Sequence, residues 1–340
     1  MKTQILSLVL GLFFSLVNAQ TMQFISENSG TPLPQIFVYD QSGKLLAESD
    51  IEGKITSESL KPVQEKYSLI YENEKIGELT FSDLNREIVK LKDRVKTIEP
   101  VVLQDNSNAK YIFLEGNFNS TVTLNGITNC YADGIATHVF DNKNKKFLYT
   151  VVYQYRIYER TKPEKITKTI ASHTMTGNLG ILTPTMLTKD LSYYQKDSKN
   201  YTVRQVTTTN KDLIEMKATR FDDKVKKLLG IWITQAKGDY ILAFEKDSEK
   251  KLRDFLEARL LISAKMKFRS EPDFNDLKVY QNFFPTNLRY GNDEIKTSVK
   301  FKTGNSYYSE KYWEKDNFPQ LLQVISNFNG GKFVEVKNTY

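Results

Sequence analysis

The feature that most restricts what this chain can fold into is a series of long stretches in which apolar and polar residues alternate. Residues 110–118, 121–124, 134–141 and 146–159 send side chains to opposite sides with a period of two, the spacing of a strand and not of a helix. They are divided by Asn125-Gly126 and by Asp141-Asn142-Lys143-Asn144. Asn-Gly between alternating runs signals a two-residue hairpin, because both residues tolerate the positive φ that such a turn needs. An antiparallel meander is expected from residue 110 onward, with further strands at 202–208, 230–234, 240–244, 295–302, 307–314 and 332–337.

Helices are expected to be few. Asp247 is an N-cap candidate, and Leu252, Phe255, Leu256 and Leu260 follow at amphipathic helical spacing. A second helix is expected over 319–328, where Leu321, Leu322, Ile325 and Phe328 share a face, while 211–229 fits helix or strand. Residues 110–340 are thus read as a β-rich domain with one or two helices, an α+β domain built on a curved antiparallel sheet.

The preceding segment, 20–103, has short candidate strands at 22–25, 35–40, 44–48, 54–57, 66–72, 75–81 and 87–92. Asp40-Gln41-Ser42-Gly43 and Asp50-Ile51-Glu52-Gly53 place Asp first and Gly fourth, as type I turns prefer. Short strands at even spacing with such turns indicate a β-sandwich. Thr31-Pro32-Leu33-Pro34, Ile36-Phe37-Val38-Tyr39-Asp40, Gly43 and Ser49-Asp50-Ile51-Glu52-Gly53-Lys54-Ile55 resemble the carboxypeptidase regulatory-like domain. That resemblance implies an Ig/transthyretin-like β-sandwich, common at the front of exported proteins of Bacteroidetes-type bacteria. It implies an accessory module without activity, and Ile51-Glu52 departs from the family's more usual Thr and small polar residue. Ile98-Glu99-Pro100-Val101-Val102-Leu103 is similar to the segment that closes such domains, and 104–109 reads as a polar linker. The stretch around Tyr131-Ala132-Asp133-Gly134-Ile135 resembles a domain carried behind that sandwich in exported proteins, and also the curved sheets of lipoprotein-carrier-like folds, which shelter acyl chains.

The N-terminus gives an address. Lys2 precedes an apolar run from Ile5 to Val17, and Val17-Asn18-Ala19 supplies a cleavage site, so 1–19 reads as a signal peptide cut before Gln20. The run is shorter than the roughly 20 residues that cross a bilayer. No cysteine follows the cut for lipid attachment, and the mean hydropathy of -0.47 with no second apolar span argues against an integral membrane protein. The expected location is the periplasm, the outer-membrane periphery or outside the cell.

Charge divides the chain as well. Residues 20–103 carry 10 Lys+Arg against 14 Asp+Glu, whereas 104–340 carry 37 against 27. Basic residues crowd 143–168 and 217–269, interleaved with Tyr and Phe. Nucleic acid is a poor match for an exported protein whose basic runs are broken by acids, so an anionic envelope component such as lipopolysaccharide or an acidic glycan, or another envelope protein, is the expected partner.

Catalytic signals are weak. His138 and His173 are the two histidines, and neither has a zinc-ligand neighbour at the required spacing. Cys130 is the lone cysteine, so disulfides within the chain are excluded, and a buried packing role is expected for it. Ser107-x-x-Lys110, Ser248-x-x-Lys251 and Lys302-Thr303-Gly304 match penicillin-binding motifs only in fragments. Asp222-Asp223 and Asp293-Glu294 read as solvated pairs, and 141–145 as a turn instead of a calcium loop. No catalytic, cofactor-binding or metal residue is assigned and no cofactor is expected. The expected function is a non-enzymatic binding or structural module of the cell envelope, with a hydrolase of envelope glycan or lipid, or a lipid carrier with a curved-sheet pocket, as alternatives.

Overall fold

A computed structural model describes residues 21–61, 64–71, 74–92, 108–161, 169–184, 191–196, 199–219, 222–297, 299–315, 318–319, 321–322, 326 and 333–337. The expected signal peptide, the boundary at 103 and most of the 104–109 linker lie outside these residues. The chain is mainly β and divides into two compact units, one made of most of the described residues up to 92 and one made mainly of those from 108 onward.

The N-terminal unit has the seven expected strands: β1 (Thr21–Ser26), β2 (Phe37–Tyr39), β3 (Leu45–Glu48), β4 (Lys54–Thr56), β5 (Lys66–Tyr71), β6 (Glu74–Thr80) and β7 (Ile88–Leu91). They form two sheets, ordered β4-β1-β7 and β3-β2-β5-β6, around a core that includes Met22, Phe24, Ile36, Val38, Leu69 and Val89. The second predicted turn closes as expected, with the Gly53 amide donating to the Asp50 carbonyl at 2.9 Å and Gly53 at φ +73°. A Cβ there would lie 2.5 Å from the Phe24 carbonyl oxygen, so the position requires glycine.

The C-terminal unit is built on one antiparallel sheet, ten-stranded among the described residues. Its strands are β8 (Tyr111–Leu124), β9 (Ile127–Asp141), β10 (Phe147–Arg160), β11 (Tyr201–Thr207), β12 (Lys211–Thr219), β13 (Lys226–Leu228), β14 (Ile231–Glu245), β15 (Phe255–Phe268), β16 (Asn275–Gly291) and β17 (Phe333–Glu335). The order is β11-β12-β14-β15-β16-β8-β9-β10-β17, with β13 paired to β14. Asn125 at φ +51° and Gly126 at φ +80° form the expected hairpin between β8 and β9. Register shifts in the β8–β9, β9–β10, β14–β15 and β8–β16 pairings bend and twist the sheet locally.

One face of the sheet is apolar. Ile112, Leu114, Phe118 and Val122 of β8 share it with Cys130, Ala132, Ala136 and Phe140 of β9 and with Tyr240, Leu242 and Phe244 of β14. The chain fills this face itself, with Ile170, Leu179 and Leu182 of a segment over 169–184, Tyr194 of helix α1 (Leu191–Lys196) and Phe301. The opposite face is buried but polar around Asn117, Asn119, Thr121, Asp133 and Thr137. There Asp133 is held by both Nε (3.0 Å) and Nη2 (2.5 Å) of Arg156, and Tyr312 donates its hydroxyl to the same carboxylate at 2.7 Å. The guanidinium lies 4.0 Å from the Trp313 ring centroid.

Several expectations are corrected. The helix expected after Asp247 is only a 3-10 turn over Leu252–Asp254 followed by β15. Its spacing is helical at first, but Ala258, Leu260, Ala264, Met266 and Phe268 alternate, and pairing on both sides with β14 and β16 overrides the local pattern. Among the described residues, the runs 295–302 and 307–314 are not strands beyond a single bridge between Tyr307 and Tyr155; Tyr312–Glu314 is a 3-10 turn. Residues 231–234 and 240–244 are parts of the single strand β14, with Gly230 in the turn before it, and the ambiguous 211–229 resolves into β12 and β13. Leu321, Leu322 and Ser326 are helical, and most of the remaining expected helix lies outside the described residues. Among the described residues no helix is long and apolar enough to cross a membrane.

Candidate functional site

The residues with catalytic potential are placed apart. Cys130 is fully buried on the apolar face, where burial pushes its thiol well above the ordinary range, away from thiolate chemistry. His138 is also fully buried, its Nδ1 2.9 Å from the Thr150 hydroxyl and its ring 4.2 Å from that of Phe283. Burial lowers its pKa to about 3, so it stays neutral at working pH. His173 is exposed, and its Nδ1 sits 2.7 Å from the Thr169 carbonyl, which makes that nitrogen a donor. Ser172 donates to the same carbonyl at 2.8 Å. The Ser172 Oγ also lies 3.3 Å from His173 Nδ1, but the hydroxyl and that nitrogen both face the Thr169 carbonyl, whereas a Ser-His nucleophile needs the serine proton on the histidine and a carboxylate behind it.

Asp222 and Asp223 serve the chain, Asp222 through its carbonyl to Gln235 and Thr234, and Asp223 through Oδ1 to the Gln235 amide at 2.9 Å. Glu294 accepts from the Tyr111 hydroxyl at 3.0 Å. Asp141 caps its own turn, accepting from the amides of Lys143 and Asn144. Among the described residues no group of three or more His, Cys, Asp or Glu is arranged to hold a metal ion.

An open cleft lies at the far end of β14 and β15, lined by His173, Gly230, Phe268, Arg269 and Ser270 and about 590 Å³ in volume. Glu271 follows Ser270 in the chain. The buried carboxylate accepts from the Ile170 amide (3.0 Å), the Phe268 amide (2.7 Å) and the Asn275 side chain (3.3 Å), tying the 169–184 segment to the β15–β16 turn. Arg269 is held by its amide, which donates to the Gly230 carbonyl at 3.0 Å, leaving the guanidinium exposed.

The surroundings are strongly basic. Residues 224–230 and 265–270 together hold six Lys and Arg and no acid. Trp232 lies between two of these cations, with the ammonium of Lys227 at 4.9 Å and that of Lys267 at 5.2 Å from its ring. An arginine beside an aromatic wall in a basic rim can take a ligand that is anionic at one end and apolar at the other. In sequence this region falls within the basic stretch 217–269, where 211–229 fits helix or strand, and the signal for the hairpin is an apolar residue followed by Gly between two lysine-bearing runs.

Comparison with protein-family models gives no match, and neither does comparison with curated proteins. Among solved structures, one of lipid–protein interactions in lipovitellin is similar to this chain at 8% identity and a TM-score of 0.28; the match covers 56% of this chain and 27% of that one.

Proposed function

We propose that this is an exported, non-enzymatic binding protein of the cell envelope, whose C-terminal unit takes an anionic amphipathic ligand in the cleft formed by His173, Gly230, Phe268, Arg269 and Ser270. In this reading the N-terminal sandwich is a carboxypeptidase regulatory-like module that spaces or docks the C-terminal unit. The observation that carries the reading is the cleft's combination of the Phe268 ring with the exposed Arg269 guanidinium, next to chain segments 224–230 and 265–270 that hold six Lys and Arg. Its volume falls within the range of small-ligand pockets, about 300 to 1,000 Å³. The large apolar face of the sheet is filled by Ile170, Leu179, Leu182 and Phe301, which directs an acyl chain to the cleft instead.

Calorimetric titration with monomeric hexyl, octyl and decyl phosphate tests this. Affinity should rise with chain length, fall with salt as exposed charges are screened, and drop about tenfold in Arg269→Gln, the loss of one charge-assisted bond. Absence of binding, or binding indifferent to chain length and to Arg269, would refute it.

A further inference from the structure

The β13–β14 hairpin carries large apolar side chains in solvent: at its tip Leu228 is 61% and Leu229 96% exposed, and Val225, just before β13, is 41% exposed. Leu228 pairs with Ile231, so Leu229 and Gly230 are the two turn residues, at φ +46° and φ +82°. Both angles positive define the type I′ turn, whose first position favours Asn or Gly and is strained for leucine. The same protein shows the unstrained solution at Asn125-Gly126, with φ +51° and φ +80°. Leu229 is therefore unfavourable twice over for folding, in its backbone and in its exposure. Neither the turn nor the core gives a reason for it.

The flanks match an interfacial anchor. Lys224, Lys226 and Lys227 precede the tip, and Lys265, Lys267 and Arg269 stand beside it with no acid in either segment. Lys227, Trp232 and Lys267 form one cross-strand row, which places an indole between two ammonium groups. Tryptophan with long cationic side chains beside protruding leucines is the composition that settles at the boundary of headgroups and acyl chains.

We infer that the β13–β14 hairpin tip docks this protein on an anionic lipid surface, Leu228 and Leu229 entering the acyl boundary while Lys227, Lys267 and Arg269 meet the headgroups. The inference deepens the proposed binding function, because Gly230 and Arg269 also line the cleft, and docking would present the cleft mouth to the lipid.

The test is vesicle sedimentation of the full mature chain with phosphatidylglycerol:phosphatidylcholine 3:7 and with pure phosphatidylcholine. Binding to the anionic vesicles alone is expected, with a blue shift of Trp232 emission. A Leu228→Ser/Leu229→Asn variant removes the anchor while giving the turn its preferred residue, so it should fold at least as stably and lose binding more than tenfold. Each of Lys227→Gln and Lys267→Gln should lower binding about fivefold, the share of one lysine near an anionic surface. Leu148→Asn, at another exposed apolar site, should change nothing. Equal binding to both vesicles, binding to neither, or full binding by the double variant would overturn the inference. Decyl phosphate titration of the double variant separates the two proposals: retained cleft binding with lost vesicle binding confirms both, vesicle binding without cleft binding removes the cleft, and cleft binding by a wild-type chain that ignores vesicles removes only the docking.

Discussion

Replacing His138 tests whether this histidine is a neutral packing residue. Its ring lies against Phe283 and Phe147 with full burial, and burial lowers its pKa to about 3 from an ordinary 6.5. A depressed folded pKa means that the unfolded chain binds the proton more readily, so stability falls as pH drops below 6.5. At 1.36 kcal/mol per unit, the loss is about 2 kcal/mol at pH 5 and about 3 kcal/mol at pH 4. His138→Asn, whose amide can reproduce the bond to Thr150, should be less stable than wild type at pH 8 through lost ring contacts. Between pH 7 and pH 5, however, it should lack that 2 kcal/mol decline. Urea unfolding of both proteins at pH 8, 7, 6 and 5 measures the difference. Parallel pH profiles would show that His138 titrates in the folded state and that the buried environment described for it is wrong.

Two other perturbations act on the opposite face of the sheet. Asp239 is raised to about 6 by burial and by the charge of Glu215, with Lys217 opposing, so its contribution to stability is present at low pH and is lost as pH rises through 6. Asp239→Asn should therefore gain roughly 2 kcal/mol on wild type at pH 8 and nothing at pH 4, read from thermal melts across that range. Arg156→Met leaves the Asp133 carboxylate buried without its cation, with tyrosine hydroxyls alone to answer it, and should cost about 3 to 5 kcal/mol at pH 8, partly recovered on acidification, as measured by chemical unfolding; a change below 1 kcal/mol would contradict the buried pair.

How much of this was legible in the sequence follows from how local each signal is. The sandwich could be read because its strands are short and turn chemistry written in two residues separates some of them, as at Asp50 and Gly53. The β8–β9 hairpin was legible for the same reason, through Asn125-Gly126. β15 was misread because Leu252, Phe255, Leu256 and Leu260 fit a helix until sheet neighbours on both sides decide otherwise. β16 was missed because Pro285 interrupts it; a register shift beside that residue accommodates a proline that an undisturbed strand would reject. The cleft draws on the 169–184 segment, the β13–β14 turn and the β15–β16 turn, which are distant in sequence, and Leu229 reads as an ordinary core residue until the fold leaves it in water.

The most direct test of the binding account is nitrogen-15 chemical-shift mapping of the full chain titrated with monomeric decyl phosphate. The account predicts saturable shifts at the amides of His173, Gly230, Phe268, Arg269 and Ser270, with Cys130 and His138 unaffected. Shifts centred on the buried apolar face, or none that saturate, would contradict it.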